Sequence, residues 1–227
     1  MKIRSIKCYH KVFDPHITID FSSNNKDLNG LFCLHGSGNA GKSLILNGIA
    51  NRWSQHALSD DDTSENLALM DIEFDMDRLG ILSVSRTNVP SINRQRFKDH
   101  SKITDSVIYG AIMYYPIDRC FLTEESTFHG GSAASGIFSI YSDIKTRKIQ
   151  NSTILIDDID YKLDQDNFIL LYRFLSDFAK DNNNQIISTI SRIENLTTFD
   201  NRKRFNINIE NNIIEDIING KIEINGH

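Results

Sequence analysis

An eight-residue segment, residues 36–43, has the residue types and spacing of a phosphate-binding loop, G-x-x-x-x-G-K-[ST]. Backbone N–H groups of such a loop converge on an anion, and the helix that follows adds the positive end of its dipole. We expect Lys42 to reach the β- and γ-phosphates and the Ser43 hydroxyl to hold Mg²⁺. The segment therefore predicts a site for ATP and magnesium, made of Gly36, Ser37, Gly38, Asn39, Ala40, Gly41, Lys42 and Ser43.

The residues on either side of this loop are those that such a site needs. An apolar run at 31–34 predicts a strand that enters the loop, and apolar residues at helical spacing predict a helix over 42–54. Leu44 lies in the first turn of that helix, so we include its backbone in the predicted nucleotide site. A glycine-rich turn without a ligand is the alternative, and the order strand, loop, helix argues against it.

Length, composition and charge are those of an ordinary globular protein. The chain has 227 residues, of which 40% are hydrophobic and 24% charged, and its formal net charge is −5. This balance excludes a polycation that would coat nucleic acid indiscriminately. Cys8, Cys33 and Cys120 form no C-x-x-C pair, which suits a reducing cytoplasm. We find neither an apolar signal segment nor a run long enough to span a membrane, and we expect a cytoplasmic protein.

The pattern along the chain predicts an α/β fold with a mostly parallel central sheet and an antiparallel β layer. We expect one domain over 1–227, with an antiparallel lobe from 1–35 and 67–90, a phosphate-loop core from 36–54 and 107–200, and a C-terminal hairpin from 203–227. Alternation predicts the strands 2–9, 16–21, 67–75 and 80–87. A nearly continuous apolar run predicts that 107–115 is one strand buried on both faces.

A second group of acidic residues completes the predicted site. The β-branched run 152–156 predicts a strand, and it ends at Asp157 and Asp158. A carboxylate in the first position would act on the Mg²⁺ side, and one in the second would polarise the water that attacks the γ-phosphate. A helix over 137–148, a long helix over 164–181 and a strand over 185–190 are predicted around it.

Together these segments resemble the ATP-binding-cassette (ABC) ATPases of the chromosome-maintenance (SMC), RecF and OLD kind. Residues 154–158 are similar to the Walker B strand of that group, L-L-I-D-E, and residues 184–191 are similar to its switch strand, Q-I-I-x-T-T-H-S. The opening strand, residues 3–11, is also similar, and the likeness is weakest between 55 and 130. The resemblance implies a P-loop NTPase fold of the ABC type and an ATPase activity.

The same resemblance implies that two heads pair around ATP. The signature loop of the second head would fall at 133–136, where Ser135 and Gly136 would contact the γ-phosphate of the partner. A flexible Gly/Ser loop is the alternative there. Gln95 stands where a Q-loop glutamine could touch Mg²⁺ or the attacking water.

Three residues depart from the family pattern. Asn39 replaces a usual glycine, and asparagine tolerates left-handed backbone angles. Asp158 replaces the usual catalytic glutamate, whose reach is one methylene longer. Ile190 is interpreted as the residue at the switch-histidine position, and its side chain can form no hydrogen bond. These departures favour tight ATP binding with slow hydrolysis, because an error of about 1 Å in positioning can cost ~100-fold in rate.

The chain lacks the long coiled coil of most relatives, since residues 44–132 between loop and signature read as strands and loops. We therefore expect a compact head that controls a partner effector, such as a nuclease, in DNA repair or anti-phage defence. A nucleotide-gated scaffold without turnover and a transporter ATPase subunit are the alternatives. Nucleic acid could bind three basic clusters, which could equally be solvated surface: 86–102, 145–148 and 202–204.

Overall fold

A seven-stranded mixed sheet forms the centre of the fold. The computed structural model describes residues 1–9, 16–22, 27–36, 40–58, 70–77, 80–84, 102–103, 108–115, 140, 144–161, 163–192, 205–208, 213–218 and 221–225. The sheet has the strand order β14-β13-β12-β3-β11-β10-β8. Its members are β3 (Gly30–His35), β8 (Ile112–Tyr115), β10 (Thr153–Ile156), β11 (Gln185–Thr189), β12 (Phe205–Asn208), β13 (Ile213–Ile218) and β14 (Lys221–Asn225).

Parallel pairing joins the middle of this sheet. β3 lies between β12 and β11, and β10 lies between β11 and β8, all in parallel register. The antiparallel hairpin β13–β14 extends the edge beside β12. Every residue of β3, β10 and β11 is buried, which explains the near-continuous apolar sequences of β3 and β10. In β11 the buried residues include three polar ones, Gln185, Ser188 and Thr189. The mostly parallel sheet predicted from the sequence is confirmed.

A four-stranded antiparallel sheet is the layer predicted beside this core. It has the order β2-β1-β4-β5, formed by β1 (Lys2–Cys8), β2 (Ile17–Asp20), β4 (Met70–Asp75) and β5 (Ile81–Val84). Burial alternates along β4, with Met70, Ile72 and Phe74 buried. This is the pattern of a sheet with one face on the core, and it explains why the sequence alternation located the layer.

Two predicted assignments need correction. The sequence predicts residues 30–35 in the antiparallel lobe, but β3 pairs in parallel with β11 and β12 in the central sheet. The run 107–115 divides at Gly110, whose φ of 67° favours glycine, into β7 (Ile108–Tyr109) and β8. β7 pairs with β6 (Lys102–Ile103) and β9 (Ile149–Gln150) in a separate small sheet. β8 is also only half-buried, because it is the edge strand of the central sheet.

Two long helices stand out in the described part of the chain. α1 (Lys42–Leu58) follows β3, and α2 (Gln165–Asp181) connects β10 to β11. Asp164 caps α2, since its side chain accepts a hydrogen bond from the Asn167 amide at 2.8 Å. Within the predicted helix 137–148, the described residues Ile140 and 144–146 are helical.

The central sheet divides the hydrophobic interior into two clusters. On one face, Leu155 and Ile187 pack with α1 residues and with the antiparallel sheet. On the other face, Ile154, Ile156 and Ile186 pack with α2. Residues of opposite parity on each strand therefore enter different cores, as strand geometry requires.

Gln185 connects the two sheets at the start of β11. Its side-chain oxygen accepts from the Ile3 amide at 2.7 Å, and its side-chain nitrogen donates to the Ile3 carbonyl at 2.8 Å. Thr153 Oγ1 donates to the same side-chain oxygen at 3.2 Å. The side-chain amide of Gln185 thus forms both hydrogen bonds with the backbone of Ile3 in β1 that a residue of a neighbouring strand could form. Ile3, Thr153 and Gln185 are all buried.

We expect Gln185→Met to lower the free energy of unfolding by about 2–4 kcal/mol, because a buried N–H and a buried C=O of Ile3 lose their partners while side-chain volume is kept. Chemical denaturation measures this change. Gln165→Met at the exposed start of α2 is the control and should change stability by less than about 0.5 kcal/mol. Equal effects of the two substitutions would contradict this account of the joint between the sheets.

Candidate functional site

The carboxyl ends of three neighbouring parallel strands bring the predicted site together. In the sheet, β11 lies between β3 and β10. Ile156 is aligned with Ser188, and Thr189 with Leu34, so the three strands end at the same edge. The loop after β3, the acidic pair after β10 and the residues after β11 therefore share one edge. Ligands of open α/β sheets bind at such edges.

The end of the phosphate-loop segment has the backbone geometry that its glycine implies. Gly41 has a φ of 83°, a left-handed conformation that a side chain would disfavour. α1 begins at Lys42, and the first helical bond runs from the Ile45 amide to the Gly41 carbonyl at 3.1 Å. The opening N–H groups of a helix, here those of Lys42 and Ser43, project from its N-terminus and attract anions.

Lys42 is a buried cation at this helix start. Only 7% of its surface is exposed, and its Nζ donates to the Gly36 carbonyl at 2.9 Å. The ammonium group is therefore held at Gly36, directly after the end of β3. A positive charge held there is well placed to meet an anion that the helix N-terminus also attracts.

Ser43 and Asp157 are in direct contact although 114 residues separate them. Ser43 Oγ donates to Asp157 Oδ1 at 2.9 Å, and the same carboxylate oxygen accepts from Thr189 Oγ1 at 2.7 Å. Asp157 is only 4% exposed. A hydroxyl and a carboxylate are oxygen donors of the kind that Mg²⁺ uses together with phosphate oxygens, so these residues fit a magnesium ion.

Asp158 lies beside this pair in a left-handed backbone conformation, with a φ of 52°. Its amide donates to Thr189 Oγ1 at 2.6 Å, and its carboxylate accepts from Ser191 Oγ at 2.5 Å. Burial raises the pKa of the Asp158 carboxyl above its ordinary value, and the Ser191 hydrogen bond acts in the opposite direction. The nearby carboxylates of Asp160 and Asp157 add to the upward shift.

The fully buried carboxylate of Asp160 fixes the chain after β11. It accepts from the Ser191 amide at 3.0 Å and from the Arg192 amide at 2.8 Å. The Arg192 guanidinium lies beside it, with Nε 3.6 Å from Oδ2, and donates to the carbonyls of Asp160 and Leu163. The segment that carries Ser191 is therefore held against the segment that carries Asp158.

The interpretation of Ile190 as the residue at the switch position is wrong. Ile190 is fully buried in the cluster on the α2 face, together with Ile186. Ser191, one residue later, has the opposite parity and contacts Asp158. A shift of one residue exchanges the two faces of a strand, which is why the error moved the position into the core. With Gln185 aligned to the first letter of Q-I-I-x-T-T-H-S, the seventh letter, histidine, falls on Ser191.

The structure brings together Gly36, Ala40, Gly41, Lys42, Ser43, Leu44, Asp157 and Asp158 at this edge. Six other predicted site residues lie outside the described part of the chain: Ser37, Gly38, Asn39, Gln95, Ser135 and Gly136. Sequence reasoning missed Thr189, Ser191 and Asp160. Among the described residues, no group of three His, Cys, Asp or Glu side chains could hold a metal ion.

Comparison with solved structures identifies the fold. The chain resembles the SMC head domain from Thermotoga maritima with a TM-score of 0.55 and 16% identity, over 100% of this chain and 99% of that chain. A metal-chelate type ABC transporter in an inward-facing conformation matches with a TM-score of 0.39 and 11% identity, over 100% and 84% of the chains. No protein-family model and no curated protein sequence matches. The ABC-type, SMC-like head fold predicted from the sequence is confirmed.

The described residues also bear on membrane insertion. No helix among them has the length and apolar character needed to cross a bilayer.

We expect Asp160→Asn to destabilise the protein by about 2–4 kcal/mol, because the amides of Ser191 and Arg192 and a guanidinium lose their buried, charged acceptor. Thermal and denaturant unfolding measure this loss. Asp166→Asn in the exposed first turn of α2 is the control, and it should cost less than about 1 kcal/mol through the helix dipole. If the Asp160→Asn variant is as stable as the wild type, this carboxylate does not fix the chain after β11.

Proposed function

We propose that the chain is a compact ABC-type ATPase head that binds ATP with Mg²⁺ and hydrolyses it slowly. The observation that carries this proposal is the 2.9 Å hydrogen bond between Ser43 Oγ and Asp157 Oδ1, which joins the phosphate-loop segment to the strand-end carboxylate. Lys42, bonded to the Gly36 carbonyl, supplies the cation of the same site. The head fold shared with the SMC domain supports the proposal at the level of architecture.

The proposed roles follow from the chemistry of each group. Lys42 and the first amides of α1, including that of Leu44, bind phosphate oxygens, together with the loop residues from Gly36 to Gly41. Ser43 and Asp157 hold Mg²⁺, which when bound withdraws charge from the phosphate oxygens and orients them. Asp158 accepts a hydrogen bond from the attacking water, which it thereby orients and polarises.

Slow turnover is proposed from the groups around Asp158. Its side chain is one methylene shorter than a glutamate, and its carboxylate is engaged by the Ser191 hydroxyl. A serine also has a shorter reach than the histidine of the family pattern. Both features reduce the precision with which a water molecule can be positioned, and rate depends steeply on that position.

Pairing of two heads and control of an effector are the further parts of the proposal. In a pair, Ser135 and Gly136 of one copy would meet the ATP bound by the other, with Gln95 near Mg²⁺, as the family resemblance implies. The ATP-bound pair would license an effector protein, such as a nuclease, in DNA repair or anti-phage defence within the cytoplasm. A scaffold gated by ATP without turnover and a transporter subunit remain the alternatives.

Lys42→Ala should weaken ATP binding by at least about 100-fold, because a buried cation and its phosphate contacts are lost together. Equilibrium binding of ATP in the presence of Mg²⁺ measures the change. Lys145→Ala, at an exposed position, should bind as the wild type does. If the Lys42 variant retains wild-type affinity, the site lies elsewhere and the proposed function is wrong.

Asp158→Asn should lower ATP turnover by about 100-fold or more, since the group that polarises the water is lost, while ATP affinity changes little. Phosphate release gives the rate, which for the wild type should lie below about 1 per second. Sedimentation with ATP should detect a dimer that persists longer in the variant.

Two results would redirect the proposal. Equal and negligible turnover in wild type and variant would favour the scaffold. Wild-type turnover well above about 1 per second would contradict slow hydrolysis.

A further inference from the structure

We propose that Thr189, the last residue of β11, is a positioning residue that holds the magnesium-side carboxylate of Asp157 and the backbone of Asp158 in register. This inference rests on the proposed function and deepens it. It assigns to the middle strand of the site a role that the predicted motifs do not contain. The proposal rests on the observation that one buried hydroxyl, that of Thr189, contacts both Asp157 and Asp158.

The direction of the two hydrogen bonds is fixed by chemistry. The Asp158 amide can only donate, and it meets Thr189 Oγ1 at 2.6 Å. The proton of the hydroxyl therefore points to Asp157 Oδ1, 2.7 Å away. The Thr189 carbonyl also accepts from the Ile159 amide at 3.0 Å. A single residue thus contacts three consecutive residues after β10.

Thr189 is suited to this task by its place in the sheet. β11 lies between β3 and β10, so its end stands between the phosphate-loop segment and the acidic pair. Thr189 is two residues after Ile187, so both side chains lie on the same face of β11, and that of Ile187 packs on the α1 face. Lys42 and Ser43 are the first residues of α1. A β-branched side chain at 1% exposure has little rotamer freedom, which holds the hydroxyl in place.

Two strained or constrained features depend on this hydroxyl. Asp158 has a left-handed φ of 52°, which costs energy in a residue with a side chain, and the hydrogen bond to its amide stabilises that turn. The Asp157 carboxylate receives Thr189 and Ser43 on one oxygen, Oδ1. These partners, one in α1 and one in β11, consequently set the orientation of the second oxygen. Hydrogen-bond partners commonly orient metal-binding carboxylates in this way.

Ser188 provides a matched control within the same strand. It is also fully buried, but it has the opposite parity, and its hydroxyl contacts Cys33 Sγ at 3.4 Å and the Phe32 carbonyl at 3.5 Å. Neither partner belongs to the site. Removing this hydroxyl tests the general effect of losing a buried polar group from β11 without disturbing the acidic pair.

The experiment compares Thr189→Val, which keeps the shape without the hydroxyl, with Thr189→Ser, which keeps the hydroxyl, and with Ser188→Ala. ATP affinity is measured by equilibrium binding with Mg²⁺ and with EDTA, and kcat and KM are measured by phosphate release. Thr189→Val should bind ATP as the wild type does in EDTA, and the gain in affinity from Mg²⁺ should fall by about 10-fold or more.

The pattern across variants separates positioning from stability. Thr189→Ser should restore most of the magnesium-dependent gain, and Ser188→Ala should retain it in full. Turnover of Thr189→Val should fall mainly in kcat. If Thr189→Val does not fold, Thr189→Cys, which offers only a weak thiol donor, should show the same loss.

Other outcomes overturn the inference. A folded Thr189→Val protein with the wild-type magnesium gain and kcat would show that the hydroxyl is not needed. A loss of the same size in Ser188→Ala would make the effect one of general stability. A wild-type protein that binds no ATP in either condition would instead overturn the proposed function, and this inference with it.

Discussion

The candidate site depends on the contact of Ser43 with Asp157 at the carboxyl ends of three parallel strands. This hydrogen bond requires β3 and β10 to end at the same level, and β11 between them to end there too. Parallel pairing meets the requirement, because it aligns all carboxyl ends at one edge. Around that edge, the helix start at Lys42 adds positive electrostatic potential, and the acidic pair adds carboxylate oxygens. The two partners are 114 residues apart in sequence. The site therefore forms only when the fold that joins them is correct.

The rest of the architecture keeps those strand ends in place. Apolar residues of alternate parity fill one core with α1 and the antiparallel sheet and another with α2, so β3, β10 and β11 are buried on both faces. Gln185 joins β1 to the beginning of β11, and Thr189 joins the end of the same strand to the acidic pair. β11 is therefore held by buried polar groups at both ends, which specifies its level relative to its neighbours more sharply than apolar packing alone would.

Asp160 extends this restraint beyond the strand. Its buried carboxylate accepts the amides of Ser191 and Arg192, and that arrangement presents the Ser191 hydroxyl to Asp158. The carboxylates of residues 157, 158 and 160 lie close together, and each has hydrogen-bond donors from the end of β11 or just after it. A cluster of negative charges of this kind is tolerated only where hydrogen-bond donors or cations neutralise it, and here donors from Thr189, Ser191 and Arg192 do so.

The sequence alone determined the α/β class and the approximate limits of the long helices and most strands, and it predicted the phosphate-loop segment and the acidic pair, because these signals are local: short contiguous motifs and periodicities of 2 or 3.6 residues. It failed at Gly110, where one glycine ends a strand inside an apolar run, and at Ile190, where an error of one residue exchanges the strand faces. Only the tertiary structure decided that Thr189, Ser191 and Asp160 surround the acidic pair. Their partners lie about 30 residues away in sequence and meet them through parallel strand pairing, a non-local contact that no short pattern records.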